Sequence, residues 1–147
     1  MSQTRRQTRA QALGNVRRVV VQVGSSVLER TPVARIRALA ADLAALRDTG
    51  VEAVVVTSGA IRMGVRRLEL NRTPRQLPML HAVSAVGQVE LVRAYDDALS
   101  AHGIMTAQAM ITAADLDEPG RFLRLRHTLM ALLDYGVLPL LGENQAV

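Results

Sequence analysis

The amino-acid sequence predicts an α/β fold, in which a parallel β-sheet is covered by helices on both faces. From Arg18 onward, short apolar runs rich in β-branched residues alternate with longer segments whose apolar residues recur at helical spacing, in the order β-α-β-α-α-β-α-β. Each crossover between parallel strands places a helix against the sheet, so both faces of the strands are buried. At 147 residues the chain has the length of one domain with a substantial core.

The first strand is predicted over Val19–Val23, an apolar run interrupted only by Gln22. It leads directly into Gly24, Ser25 and Ser26. A strand that ends in a glycine loop suits a phosphate group, because the backbone N–H groups of the loop can donate to its oxygens. These three residues are therefore the predicted phosphate loop.

The other elements follow from the same signals of periodicity, proline and glycine. We predict, in chain order, a helix over Pro32–Thr49, a strand over Val51–Thr57, a helix starting near Ala60, a long helix from about Gln76 to Ala101, a strand over Ile104–Ile111, a helix over Pro119–Asp134 and a strand over Val137–Leu141. Pro78 is compatible only with the first turn of its helix, and glycines follow the predicted helix ends. We find no internal repeat, linker or second domain.

Composition narrows the function classes. The chain is 49% hydrophobic but has one Phe, two Tyr and no Trp, so base stacking on aromatic side chains is not expected as a main activity. It contains no Cys, which excludes disulfide and thiolate chemistry. No apolar run approaches the roughly 18 residues of a membrane span. We therefore expect a soluble protein whose partners are neither nucleic acid nor membrane.

The net charge of +5 is concentrated at the amino terminus. Residues 1–18 contain five arginines and no acid, whereas residues 19–147 contain 13 arginines and 13 acidic residues. A short basic segment rich in Gln and Thr is typical of a solvated, disordered extension. We predict such a tail over residues 1–17 and a folded domain over residues 18–147. An organelle-targeting peptide or a weak anion-binding arm is the alternative.

Small and polar residues follow all four predicted strands. They are Gly24–Ser26, Ser58–Ala60, Gln108–Thr112 and Gly142–Asn144. Because ligands of open parallel sheets bind at the carboxyl ends of the strands, four such loops predict a pocket at this edge. The alternative for any single loop is that Gly and Ser simply form a tight turn. His81, His102 and His127 are isolated in sequence, so we predict no metal site.

Five segments resemble one known family in order and spacing. They are Val-Gln-Val-Gly-Ser-Ser-Val-Leu (21–28), Val-Val-Val-Thr-Ser-Gly-Ala-Ile (54–61), Ala-Val-Gly-Gln (85–88), Arg-Phe-Leu (121–123) and Gly-Glu-Asn-Gln-Ala-Val (142–147). Together they resemble the amino-terminal half of the glutamate 5-kinases, the proline-biosynthesis members of the amino acid kinase family. The resemblance implies a three-layer αβα sandwich with a mainly parallel sheet, truncated after the amino-terminal half. It also implies a cytoplasmic protein that uses ATP and Mg²⁺ to phosphorylate the γ-carboxylate of glutamate.

The sequence departs from the family pattern at positions that the chemistry needs. An anionic carboxylate must approach an anionic phosphoryl group, so the site has to neutralise charge. The chain contains no lysine, and Gln22 occupies the position of the family's strand-one lysine. Gln145 replaces the family Asp that binds the amino group of glutamate. The nucleotide-binding half of the family would begin where this sequence stops.

The resemblance still implies part of an acceptor site. Ser58 would contact a glutamate carboxylate, and the amides of Gly59 and Ala60 at the start of a helix would donate to an anion. Asn144 would add an amide contact beside Gln145. The alternative for Ser58 is that it only caps the helix that follows.

Three functions remain open at this point. The first is a glutamate 5-kinase that is catalytic only as part of something larger. The second is a non-catalytic relative that binds glutamate or proline, or associates with a full-length kinase as a regulatory subunit. The third is a structural remnant. The departures at Gln22 and Gln145 favour the second and third. We expect the isolated chain to be inactive, and to form a homo-oligomer or a complex with a kinase partner through apolar positions of the helix around Leu80–Leu99.

Overall fold

The computed structural model describes residues 16–29 and 31–144. The elements in chain order are β1 (Arg18–Val23), a 3-10 helix (Ser25–Leu28), α1 (Pro32–Asp48), β2 (Glu52–Thr57), α2 (Ala60–Arg67), α3 (Leu77–Ser100), β3 (Thr106–Ile111), α4 (Ala113–Asp117), α5 (Pro119–Asp134) and β4 (Leu138–Glu143). The predicted α/β class and the αβα arrangement are confirmed.

The sheet has four strands in the order β1-β2-β4-β3, and all of its pairings are parallel. In this register Val23 lies opposite Thr57, and Gly142 lies between Thr57 on one side and Met110 on the other. The carboxyl ends of the four strands therefore meet at one edge of the sheet. This is the edge at which the sequence predicts a pocket.

Helices α1 and α3 cover one face of the sheet. The main hydrophobic core joins residues of β1, β2 and β4 to the buried sides of these two helices, among them Ile36, Leu91 and Leu99. Tyr95 of α3 is 1% exposed, and its hydroxyl lies 3.0 Å from the hydroxyl of Thr57. Burial raises the pKa of Tyr95, although the bond to Thr57 acts in the opposite direction.

Helix α5 covers the other face, but only in part. Leu133 of α5 packs with Val54 and Leu141 in a second, smaller core. Val20 of β1 is the register partner of Val54 and so lies on the same face, yet it is 66% exposed. The prediction that helices cover both faces therefore holds for β2 and β4, but not for the face of β1 that carries Val20. This uncovered face is called the open face of β1 below.

Helices α2 and α3 pack backbone against backbone through two glycines. A Cβ atom on Gly87 would lie 1.7 Å from the carbonyl oxygen of Ala60, and one on Gly64 would lie 1.9 Å from that of Val83. Neither position can hold a larger residue without displacing a helix. The close approach fixes the start of α2, and with it the loop that follows β2.

Most predicted elements lie within about two residues of their observed bounds. Strand β3 begins two positions later than predicted, at Thr106, because pairing with β4 begins there. The short helix α4 was not predicted, although its capping box is visible as Thr112 and Asp115, which bond each other's backbone N–H groups. The 3-10 helix was also missed. Residues 1–15 lie outside the described residues, so the basic tail stays a prediction.

Candidate functional site

Two separate cavities lie at the carboxyl edge of the sheet. The first, called the β1–β2 cavity, has a volume of about 380 Å³ and is lined by Ser25, Ser58, Gly59, Ala60, Ile61, Arg62 and Thr73. The second, called the α3–β3 groove, has a volume of about 800 Å³ and runs between α3 and the edge strand β3. The sequence predicts one pocket from four loops, whereas within the described residues the loops divide into two pairs. Helix α3 separates them, with Gly87 against Ala60 on one side and Gln88 beside Gly142 on the other.

Pairing of β1 with β2 brings the two loops of the β1–β2 cavity together. The backbone N–H of Ser58 donates to the carbonyl oxygen of Val23 at 3.1 Å, and the Ser58 hydroxyl donates to the same oxygen at 3.4 Å. Gly24 follows Val23 directly and precedes the 3-10 helix that carries Ser25 and Ser26. Ser25 lines the cavity, whereas Ser26 is exposed and does not.

Gly59 determines how α2 begins. Its φ of 120° lies in the region that favours glycine, and a Cβ atom there would lie 3.2 Å from Cδ1 of Leu28. Gly59 is the N-cap of α2, and no side chain caps the helix. The alternative that Ser58 serves as this cap is therefore wrong, because the Ser58 hydroxyl turns to Val23 instead. The first-turn amides of α2 remain without a side-chain acceptor at the cavity wall.

Among the described residues, Arg62 is the only cationic side chain that lines the β1–β2 cavity. Its Nη1 lies 2.5 Å from a carboxylate oxygen of Glu29, and both side chains are about half exposed. The backbone carbonyl of Glu29 in turn accepts a hydrogen bond from Arg66. A ligand anion in this cavity would meet the hydroxyls, the α2 amides and a guanidinium that already has a carboxylate partner.

Gln22 does not line the β1–β2 cavity. It alternates with Val21 and Val23, which pack into the main core, so it lies on the open face of β1 as the register partner of Val56. Gln22, which the resemblance places at the position of the family's strand-one lysine, is thus an exposed neutral amide.

The α3–β3 groove contains Asn144, the last described residue of the predicted substrate site. The backbone N–H of Asn144 donates to the carbonyl oxygen of Ile111 at 2.8 Å, which fixes the chain just after β4. Ser84 and Gln88 of α3 line the same groove. We did not single out Gln88 as a site residue from the sequence, although it ends the Ala-Val-Gly-Gln segment. Gln145 lies outside the described residues.

The described residues do not form a place for a metal ion. No group of three or more His, Asp and Glu side chains suited to a metal occurs within residues 16–29 and 31–144. The predicted phosphate loop contributes only hydroxyls and backbone amides, which do not fit Mg²⁺, an ion that usually takes one or two carboxylates from a protein. In the described part of the chain, no helix has the length and apolar character needed to cross a membrane.

Comparison with known proteins gives a consistent result. The amino acid kinase family matches residues 17–147. The glutamate 5-kinase of Paraburkholderia phymatum is 44% identical over 142 residues, which cover 92% of this chain and 37% of the relative. The glutamate 5-kinase of Ralstonia nicotianae is 42% identical over 142 residues, with the same coverage. That of Rhodopseudomonas palustris is 42% identical over 140 residues. The chain thus spans 37% of the length of these curated relatives.

Proposed function

The chain belongs to the amino acid kinase family, and from this premise we propose that its 147 residues form the acceptor-binding part of a glutamate 5-kinase-like protein of proline biosynthesis. The relatives are named glutamate 5-kinases, and the reaction proposed for the whole protein has ATP as the phosphoryl donor and glutamate as the acceptor. The part proposed for this chain is to bind glutamate or proline through a carboxylate in the β1–β2 cavity. A cytoplasmic location belongs to the same proposal.

One observation carries the proposal. Ser58, the uncapped first-turn amides of α2 and the Arg62 guanidinium all border one cavity. The donors are mainly neutral, and the charge of Arg62 is already partly balanced by Glu29. Such a set suits a singly charged carboxylate better than a phosphate, and the Ser58 hydroxyl would exchange its 3.4 Å bond to Val23 for a bond to that carboxylate. Gly59 and the contact of Gly87 with Ala60 hold the α2 amides in place before any ligand arrives. A site that is formed in advance binds at lower entropic cost.

We propose further that the isolated chain does not transfer phosphate to glutamate. Phosphoryl transfer needs positive charge around the phosphate oxygens. Gln22 is neutral and lies on the open face of β1, and Arg62 is paired with Glu29. Gly24, Ser25 and Ser26 supply only neutral donors.

Calorimetry with L-glutamate and with L-proline tests the binding proposal. We expect saturable binding of at least one of them by the 147-residue chain, lost in Ser58→Ala and kept in Ser100→Ala. Ser100 lies at the end of α3, where its hydroxyl donates to the backbone carbonyl oxygen of Asp97, and it serves as the matched control. Absence of binding of both amino acids, or equal binding by Ser58→Ala, would contradict the proposal.

A hydroxamate assay with ATP, Mg²⁺ and glutamate tests the second statement. The expected result is no turnover above that of Ser58→Ala, with the glutamate 5-kinase of Paraburkholderia phymatum as the positive control. Turnover clearly above the Ser58→Ala background would show that the chain is catalytic by itself.

A non-catalytic subunit that associates with a second copy or with a full-length kinase is the second candidate. The sequence places the contact on α3, where Val83, Leu91, Tyr95 and Leu99 are buried within the chain itself and Val89 is 59% exposed. The open face of β1 is a second candidate surface, because Val20 is exposed there on a strand that is the edge of the sheet within the described residues. Light scattering of the chain alone, and mixed with the Paraburkholderia phymatum enzyme, tests this candidate. A monomer in both samples would contradict it.

A further inference from the structure

Strand β1 is an edge of the sheet within the described residues, where it pairs with β2 alone. The carbonyl oxygens at the two ends of this pairing, those of Arg17 and Val23, accept bonds from β2 and from the residue that follows it. Backbone groups point to alternate sides along a strand. The N–H and C=O groups of Arg18, Val20 and Gln22 therefore point away from β2, along the free edge.

Apolar surface lies on both sides of this free edge. On one side is the open face of β1, where Val20 is 66% exposed. On the other side, a cavity of about 290 Å³ separates β1 from α1, and its apolar lining includes Val21, Val23, Val27 and Leu39. The side chains of an added strand would alternate between the two faces and cover both. The edge is thus shaped to receive another strand.

The edge also lacks the charges that usually protect such strands. Lysine on an exposed edge strand hinders pairing with other chains, but residue 22 is a neutral glutamine. The charge in β1 is confined to Arg18, whose guanidinium donates two bonds to the Glu52 carboxylate at 2.6 and 2.9 Å. A strand that approaches β1 therefore meets a single charge, which already has a partner.

We propose that β1 pairs in antiparallel orientation with β1 of a second copy of this chain, so that the two sheets join across a two-fold axis. The three outward-pointing residues are evenly spaced around Val20. A register that sets Val20 opposite its own equivalent therefore also sets Arg18 opposite Gln22 of the second copy. The same surface serves on both copies, as two-fold symmetry requires.

Charge complementarity favours a second copy as the occupant. In this register each Arg18 faces a neutral amide that can accept and donate hydrogen bonds. A lysine at position 22, as in the family pattern, would instead face Arg18, and like charges in directly opposed positions destabilise a sheet. The neutral residue at position 22 is therefore what makes β1 compatible with itself.

The inference develops the self-association of the second candidate function and does not depend on carboxylate binding. Neither Val20 nor Gln22 lines the β1–β2 cavity. Two paired strands of six residues form a small contact, and small contacts are weak, so we expect a dissociation constant of about 10 to 100 µM. In dilute solution the chain is then a monomer.

The first test is disulfide cross-linking of single-cysteine variants, because the chain contains no Cys of its own. Val20→Cys lies on the two-fold axis, where opposed Cα atoms are close enough for a disulfide, so concentrated protein should form covalent dimers under mild oxidation. Gln108→Cys is the matched control, since Gln108 is exposed near the centre of β3, the other edge strand. The inference fails if Val20→Cys forms dimers no faster than Gln108→Cys.

The second test concerns the register. A mixture of Arg18→Cys and Gln22→Cys chains should cross-link faster than either variant alone, because these two positions oppose each other across the axis. Equal rates in the mixture and in the two separate samples would show that the strands do not meet in this register, and would overturn the inference.

The third test measures the effect of charge by sedimentation velocity over a range of concentrations. Gln22→Lys should raise the dissociation constant of the dimer about tenfold, because each lysine would face Arg18 of the other copy. Gln108→Lys adds the same charge to the other edge and should leave the constant unchanged. Equal effects of the two variants, or a wild-type chain that stays monomeric because something else covers the edge, would contradict the inference.

Calorimetry with L-glutamate separates this inference from the proposed function. Gln22→Lys should bind L-glutamate as the wild type does, because residue 22 lies outside the β1–β2 cavity. Dimers without L-glutamate binding would support the inference and contradict the proposed site. Binding without dimers would do the reverse.

Discussion

The two faces of the sheet differ in how completely they are packed. On the side of α1 and α3, Gly87 touches the backbone of Ala60, and Tyr95 is buried against Thr57. On the side of α5, Val20 and Gln22 of β1 are exposed. The packed side holds the β1–β2 cavity in shape, whereas Gln22 lies on the open face of β1. Substitutions of packed residues should therefore lower stability, and those on the open face of β1 should leave it unchanged.

The largest effect is expected for Gly87→Ala. The added methyl group would overlap the Ala60 carbonyl, so we expect the free energy of unfolding to fall by about 3 kcal/mol. Urea unfolding followed by circular dichroism measures it. Gly120→Ala is the control, because a Cβ atom there meets nothing closer than Arg124 at 3.7 Å, and replacing a helical glycine should slightly stabilise. Equal stability of the two variants would mean that α2 and α3 are not held this closely.

A matched pair of valines compares the covered and the uncovered part of the same face within one register. Val54→Thr buries a hydroxyl in the smaller core and should cost about 1 to 2 kcal/mol. Val20→Thr, at the partner position on the open face, should change stability by less than about 0.5 kcal/mol. Thermal unfolding of both variants decides the comparison. Equal losses would show that Val20 is covered in solution, as association through this face requires.

A smaller effect is expected for Asp115→Asn, and it should appear only in how the melting temperature depends on pH. The hydroxyl and the backbone N–H of Thr112 both donate to the Asp115 carboxylate, and these bonds, with Arg121 nearby, lower the pKa of Asp115. A carboxyl whose pKa is lower in the folded chain stabilises the fold above its unfolded-state pKa, and this contribution is lost as the pH falls through the folded-state value. The melting temperatures of wild type and variant should therefore differ at neutral pH and converge in acid. A difference that is constant with pH would contradict this account.

The smallest effect is expected for Gln22→Lys. Because position 22 is exposed, the free energy of unfolding should change by less than about 0.5 kcal/mol. The variant should also remain without turnover in the hydroxamate assay, since one added cation on the open face does not alter the pairing of Arg62 with Glu29. Turnover above the Ser58→Ala background would show that Gln22 alone accounts for the missing activity.

Local signals in the sequence were sufficient for most of the fold. Helix α5 has the predicted bounds, Pro119–Asp134, because proline marks its start and glycine follows its end. The short helix α4 was missed because five residues are too few to show helical periodicity. Its capping pair, Thr112 and Asp115, was the available signal.

The candidate site was less predictable because it depends on contacts between distant residues. The division of four loops into two cavities follows from the contact of Gly87 with Ala60, which periodicity does not reveal. The position of the Gln88 side chain beside Gly142 depends in the same way on how α3 packs against β4. The open face of β1 depends on where α5 lies over the sheet.

The order of the strands sets a constraint on synthesis at the ribosome. Strand β4 lies between β2 and β3 but is the fourth strand to leave the exit tunnel. Until Leu138–Glu143 emerge, β3 has no neighbour to pair with, and β2 presents a free edge. A nascent chain that stops before this point has at most the pair of β1 and β2, and its unpaired edges invite contact with other nascent chains. The four-stranded sheet is then completed by the insertion of β4 between β2 and β3, and the rate of this step sets how long the two strand edges stay unpaired.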